Sequence, residues 1–557
     1  MAHVTSSREK DSVGANALST EYLQKYQQLM QCFFSRDKTL WPLFSPPEIS
    51  RLVKGESPFS KQHVSHLEKE LRERKDIPSQ MQPLTDPFDP LALFAAYQCK
   101  DWQDPKAVEN VISTPCDPAI HGAMLATIKN PNLVYSEYAG MAVELEKVVV
   151  RQIASLVGYD PSCAEGLFTQ GGTFCNLYGY LLGLRKTFPK SSTQGIAGRN
   201  FCMLNSESGH YSNMTNLSLL GIDMERQVIR IRINRNNQIC LDDLERQLET
   251  CFRQGVLVPT IMLTCGTTDT FAIDDISSVR KIVERLCRHY EIPRAPHIHV
   301  DAAVGWSLLF FLDYDLEFNP LAINKATIKS LRYLKKMLEG LKDADSFTVD
   351  FQKWGYVPYT SSLFMVREGT DFDKLQQQAS YFSYFEDQLK SETHLQSTIE
   401  CSRGAVGVFS AYSALQFLGK EGYQVILAHG LQNANYMREK LERISSCKVL
   451  CPSNHGPSVA FRLYPKQFRA VPEAFYKEIK LEAGKYNKSI INQVSSYHRQ
   501  HFVARKGKGL KTNWVDSVTH TDYTPSGKCL AIPGEKAVFL NPYTSRSDID
   551  AFCHLLY

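Results

Sequence analysis

The sequence predicts an α/β protein: a large domain around a parallel-dominated sheet, a smaller α+β C-terminal domain, and a helical N-terminal segment. Three observations carry this. From about residue 105, short strands that are apolar throughout alternate with long amphipathic helices, the pattern of a parallel sheet covered on both faces. After about residue 400 helices and strands follow in mixed order, as in a smaller α+β unit. Between residues 21 and 104 charged periodic stretches such as SKQHVSHLEKELRERK are broken by the proline-rich PLFSPPEIS and MQPLTDPFDP. At 557 residues the chain is too long for one ordinary core. The expected divisions are a disordered polar segment 1–20, a helical segment 21–104, a large domain 105–385 and a small domain 386–557.

Element by element, GMAVELEKVVVRQIASLVGY (140–159) and NLYGYLLGLRKTF have helical periodicity. Strands NFCML, VIRIRI and VLVPTIMLTC follow, then helix SVRKIVERLCRHY and strand HIHV. SFTVDF and SSLFMVR, rich in β-branched and aromatic residues, form two strands around a turn. The C-terminal part holds helices AVGVFSAYSALQFLG and GLQNANYMREKLERI, strand SVAFRLY, helix AFYKEIKLEAGKYN, strand KAVFLN and a final helix SDIDAFCHLL. No internal repeat or heptad run is present.

Composition excludes several classes. Net charge is 63 − 59 = +4, too small to imply a nucleic-acid partner. The basic stretch HRQHFVARKGKGLK (498–511) reads as a solvated mobile loop. The fifteen cysteines are odd in number, scattered and never spaced CxxC, which argues against a zinc site or a disulfide frame and for a reducing compartment. The N-terminus lacks an apolar signal core and no run is long and apolar enough for a membrane span, so the chain is expected in the cytoplasm, with the NxS/T triplets at Asn213, Asn216 and Asn487 unused.

Four polar clusters fall at the carboxyl ends of strands, where open parallel sheets collect ligands. LFTQGGTFCN (167–176) enters a helix through Gly171, Gly172 and Thr173, whose N–H groups and helix dipole suit an anion. NSESGHYSNMT places His210 in a loop after a strand. IMLTCGTTDTF ends a strand in Thr267 and Thr268, and HIHVDAAVGW ends one in Asp301, followed by small residues such as Ala303 that leave room for a flat ring. Lys353 lies between two apolar strands; a desolvated lysine is expected to have a depressed pKa and to act as an amine nucleophile. Together these residues make a site for pyridoxal 5'-phosphate (PLP). Lys353 would form a Schiff base, Asp301 would keep the pyridine nitrogen protonated, and His210 would stack on the ring. No GxxxxGK[ST] or GxGxxG motif supports a nucleotide instead.

The pieces FTQGGTFCN, SESGHYSN, CGTTDTFAIDDI, HVDAAVGW, DSFTVDFQKW, ECSRGAVGVFSAYSAL and FLNPYTSRSDIDAFCHLL resemble, in order, the PLP-dependent group II amino-acid decarboxylases, over roughly residues 105–557. The resemblance implies fold type I, the aspartate aminotransferase-like architecture, and loss of CO₂ from an amino-acid substrate. It implies a homodimer with shared active sites, in which N-terminal helices wrap the other subunit. It assigns the phosphate to Gly172 and Thr173, ring stacking to His210, the ring nitrogen to Asp301 and the Schiff base to Lys353. Two positions depart from the family pattern: Gln352 stands where a histidine usually precedes the lysine, and Lys536 where an arginine usually holds the substrate α-carboxylate. Gln352 would donate to the phosphate, and Lys536, or failing it Arg403, would hold the carboxylate as a point charge or a fork. Tyr381 or Tyr384 is a candidate for returning a proton to the product. On the same fold, aldehyde formation, C–C cleavage and a non-catalytic regulator are the alternatives.

Overall fold

The computed structural model describes residues 15–34, 100–378, 394–468, 471–480, 488–523 and 529–556, with a few isolated positions between. Most of the N-terminal segment expected to be helical, the 385 boundary and Tyr384 lie outside these residues. A helix at Thr20–Phe33 is described; Ser19 caps it by accepting from the Tyr22 N–H at 3.1 Å.

Seven strands form the large sheet: β1 Glu165–Thr169, β2 Met203–Ser206, β3 Val228–Ile231, β4 Thr260–Thr264, β5 His297–Asp301, β6 Ser346–Asp350 and β7 Ser362–Val366. Their order is β1-β7-β6-β5-β4-β2-β3. The run β6-β5-β4-β2-β3 is parallel, whereas β7 pairs antiparallel with both β6 and β1. Every residue of β4, β5, β6 and β7 is buried, as continuous apolar strands between two helical layers require. Register sets Thr264 beside Asp301 and Asp301 beside Thr348, so the carboxyl ends of the central strands are level.

Helices cover the sheet with deliberate starts. Asp275 accepts from Ser278 N at 3.0 Å at the head of Ile276–His289, and Asn324 accepts from Thr327 N at 2.9 Å at the head of Lys325–Leu338. The Gly172–Thr187 helix lies against β5 because Gly179 has no side chain: a Cβ there would sit 2.4 Å from the His299 ring.

The second sheet, β10-β11-β9-β8, is antiparallel throughout and comprises β8 Cys447–Leu450, β9 Ser458–Leu463, β10 Asn513–His520 and β11 Ala531–Val538. Several expectations are corrected here. The two helices expected after residue 400 meet in one run, Val406–Glu442, interrupted only where Gly419 takes φ 60°. The stretch 498–511 is no free loop at its start: residues to Arg505 complete the Lys488–Arg505 helix. Buried His498 and Arg505 pair there with Glu535 at 3.1 and 2.7 Å. Lys536 does not begin a strand but sits inside β11.

Candidate active site

A cavity of about 620 Å³ opens at the carboxyl ends of β4 and β5, between the two sheets. His210, Thr267, Asp301, Ala303, Lys353 and Lys536, all singled out from sequence, line it. Asn110, Glu207, Arg230, Asp269, Tyr359 and His520 also line it and were not anticipated.

Lys353 follows β6 in a turn, and its ammonium lies 3.0 Å from Asp350 Oδ2. Asp350 is 2% exposed, and its other oxygen accepts from Ser362 Oγ at 2.5 Å. Burial is the strongest influence on Lys353 and pushes its pKa down, but Asp350 and then Asp301 outweigh it, so the pKa is raised above the usual lysine value. The expectation of a depressed pKa is thereby corrected: the lysine is held as an ammonium until its counter-charge is withdrawn or compensated. Asp350 escaped the sequence reading because an acid ending an alternating strand looks like an ordinary turn residue; its spacing of three before the lysine was the available signal.

Asp301 ends β5 with its side chain largely buried. It accepts from Asn176 Nδ2 at 2.9 Å and from Ala303 N at 3.2 Å. His210 sits in the loop after β2, where its Nδ1 accepts from Ser212 N at 3.3 Å and lies 2.7 Å from Ser212 Oγ. Burial lowers its pKa against the opposing pull of Asp301, which leaves a neutral imidazole at pH 7. Thr267 faces the cavity, but its hydroxyl accepts from Ala272 N at 2.8 Å and meets Thr270 at 3.2 Å, so it fixes the turn that shapes the wall.

Gly171, Gly172 and Thr173 do not line this cavity. They start the Gly172–Thr187 helix just beside it, with Gly171 at φ 128°. A Cβ on Gly172 would lie 2.7 Å from Asp350 Oδ2, so only glycine lets the helix start approach the lysine's counter-ion so closely.

Two expected contacts are corrected. Gln352 is 2% exposed and both ends of its amide are engaged: Oε1 accepts from Ser361 N and Nε2 donates to Ser362 Oγ, each at 2.9 Å. It supports Ser362, which supports Asp350, instead of reaching a phosphate. Arg403 is buried away from the cavity in a forked pair with Glu146, at 2.5 and 3.1 Å, and donates to Phe168 O at 3.1 Å, so its guanidinium has no freedom to meet a substrate. Tyr381 is exposed and does not line the cavity. Lys536 does reach the cavity from β11, but its Nζ is held by Asp269 Oδ1 at 2.6 Å.

The residues present fit PLP. An amine for the aldehyde stands on the cavity wall, an acid already fixed by two N–H donors faces the same space, and a helix N-terminus opens beside the lysine. Among the described residues no cluster of His, Cys, Asp and Glu could hold a metal ion, and no disulfide joins the described cysteines. Fold and site define a PLP-binding α/β protein.

The chain belongs to the family described as "Pyridoxal-dependent decarboxylase conserved domain", which matches residues 68–464. It is 24% identical over 344 residues to L-2,4-diaminobutyrate decarboxylase of Acinetobacter baumannii, covering 59% of this chain and 61% of that protein. Aspartate 1-decarboxylase of Aliivibrio fischeri is 23% identical over 403 residues, 68% of this chain and 67% of that one. The match to the first of these relatives thus spans about three-fifths of its length. The fold is that of mouse CSAD in its apo form, with TM-score 0.69, 17% identity, and coverage of 96% of this chain and 97% of that one.

Proposed function

We propose that this protein removes the α-carboxylate of an amino acid as CO₂, leaving the amine, with PLP bound through Lys353. The observation that carries the reading is the convergence of Lys353, Asp301 and His210 on one cavity, with the Lys353 ammonium poised on Asp350. When bound, PLP would supply an electron sink for the bonding pair left on the α-carbon as CO₂ departs. The protein does the rest. Asp350 pairs with the Lys353 ammonium at 3.0 Å and would be its counter-ion whenever the lysine is free of the cofactor. Asp301 would hold the proton on the ring nitrogen, the neutral His210 imidazole would stack on the ring, and the start of the Gly172–Thr187 helix would hold the phosphate. Lys536 offers the cation for the substrate carboxylate, which must displace Asp269 to reach it.

The chain is a homodimer in this reading, located in the cytoplasm. No described helix is long and apolar enough to cross a membrane. The division near residue 385 is supported by two separate sheets, one ending at Val366 and the other beginning at Cys447. The test is reconstitution with PLP, borohydride reduction and peptide mapping, followed by CO₂ release from a panel of amino acids. Label on Lys353 and stoichiometric amine and CO₂ support the reading. Label on another lysine removes the site assignment, and aldehyde with ammonia in place of amine changes the reaction.

A further inference from the structure

We propose that His299 and Thr348 are positioning residues for Asp301, clamping the Asn176 amide so that its N–H stays on the carboxylate; this rests on the reading of Asp301 given above. A buried chain of side chains crosses the sheet behind the site. Asn176 Nδ2 donates to Asp301 Oδ2 at 2.9 Å. Asn176 Oδ1 receives Thr348 Oγ1 at 2.7 Å and lies 3.1 Å from His299 Nε2. His299 Nδ1 is 2.7 Å from Ser346 Oγ, which is 2.7 Å from His297 Nε2. His297, His299, Ser346, Thr348 and Asn176 are each no more than 2% exposed.

Every proton in this chain has only one consistent place. A carboxylate accepts only, so the amide nitrogen of Asn176 must face Asp301 and its oxygen must face away. That oxygen cannot donate, so His299 carries its proton on Nε2, shared between Asn176 Oδ1 and Thr348 Oγ1, the latter 3.1 Å away. His299 Nδ1 is then bare and accepts from Ser346 Oγ–H. The serine proton being spent, His297 donates from Nε2 and its Nδ1 is left without a hydrogen-bond partner, as observed. Burial drives the pKa of His297 down to about 3 and that of His299 well below its ordinary value, so both rings are neutral, as this ordering requires.

The donors therefore all point toward Asp301. A second weak contact of Asn176 Nδ2, to Asn213 Oδ1 at 3.4 Å, cannot hold the amide alone. Without the imidazole and the threonine, the amide would be free to turn its oxygen toward the carboxylate and repel it. Gly179 belongs to the same device, since it leaves the space that the His299 ring occupies.

The experiment is a mutant cycle read by PLP affinity, measured by fluorescence titration of the full-length apoprotein, with the thermal midpoint of each apoprotein as the folding control. His299→Leu is expected to weaken PLP binding about tenfold, the lower end of losses when a supporting partner is removed from other sites. It should lower kcat with KM changed less than twofold. His299→Gln, which can donate and accept in the same line, should recover affinity to within about threefold. In an Asp301→Asn background, His299→Leu should add less than about twofold, because the group it acts through is already altered. An equal loss in both backgrounds, or unchanged affinity in His299→Leu, overturns the proposal. Should His299→Leu lower the apo midpoint markedly, Thr348→Val, which removes the other donor and leaves the imidazole in place, is read in the same cycle with the same two outcomes. An Asp301→Asn protein that binds PLP like the wild type overturns the site reading itself, and this proposal with it.

Discussion

Replacing Arg403 by methionine separates a structural arginine from a substrate-binding one. Both Arg403 and Glu146 are under 5% exposed, and they meet in a two-pronged pair at 2.5 and 3.1 Å. Glu146 also accepts from Phe168 N at 2.8 Å, while Arg403 donates to Phe168 O at 3.1 Å, so the pair ties β1 to the chain on either side. Removing one member of such a pair strands the other charge in the interior, at a cost of about 3–5 kcal/mol. The orphaned Phe168 carbonyl adds about 1 kcal/mol. Arg403→Met is therefore expected to destabilise by about 4–6 kcal/mol. The double variant Arg403→Met with Glu146→Leu removes both charges and should regain at least about 2 kcal/mol of that loss. The assay is the thermal and urea midpoint of the apoprotein, together with KM for any amino acid the wild type decarboxylates. The reasoning fails if the double variant is no more stable than the single, or if its stability returns while KM stays raised tenfold.

Asp350→Asn removes the first charge that holds Lys353 protonated, so burial prevails and the lysine pKa falls. The free amine appears as pH rises toward that pKa, so the alkaline rise in the rate of PLP adduct formation, followed by absorbance, should move to lower pH; an unmoved profile would exclude Asp350 as the counter-ion. Lys536→Met is expected to raise KM for every accepted amino acid while leaving PLP affinity intact, and Lys536→Arg to keep part of the activity. Normal kinetics in the methionine variant would assign the substrate carboxylate elsewhere. Glu535 is buried, and although burial alone would raise its pKa, His498 and Arg505 bring it down to about 2. Its stabilisation is present above the unfolded value of about 4.5 and is lost as pH falls toward 2, amounting to about 3 kcal/mol. Glu535→Gln should flatten the acid limb of the stability curve measured by circular dichroism, and an unchanged limb would count against this.

The central strands and their parallel-dominated sheet were legible because burial on both faces leaves a continuous apolar signature. For the same reason, Asp301 and Lys353 stood out as polar breaks at strand ends. What stayed hidden were partnerships set by register and by close approach. Nothing local in QKW shows that the Gln352 amide is spent on Ser361 and Ser362, since those residues reach it only after the chain has turned back as β7. Arg403 in ECSRG looks available until the Ala142–Val157 helix brings Glu146 to it. The antiparallel entry of β1 beside β7 was likewise unreadable, because an apolar five-residue strand carries no mark of its direction. Lys536 was placed in the right cavity but at the wrong point of its strand, since AIPG ahead of it reads as a turn and instead extends β11.

The cavity is lined by residues from two different sheets. Lys353, Asp301 and His210 come from the large sheet and its loops, whereas Ser517, Val518, His520 and Lys536 come from β10 and β11. The half that would hold the cofactor and the half that would meet the rest of the substrate can therefore diverge at different rates. Substitutions on β10 and β11 can change which amino acid is admitted without disturbing the groups around the ring, because Lys536 and Val518 bond to Asp269 and Asn237 of the large sheet's loops and not to Lys353, Asp301 or His210. A lineage built this way would keep one reaction while sampling many substrates, and its members would differ most along the wall that the small sheet contributes.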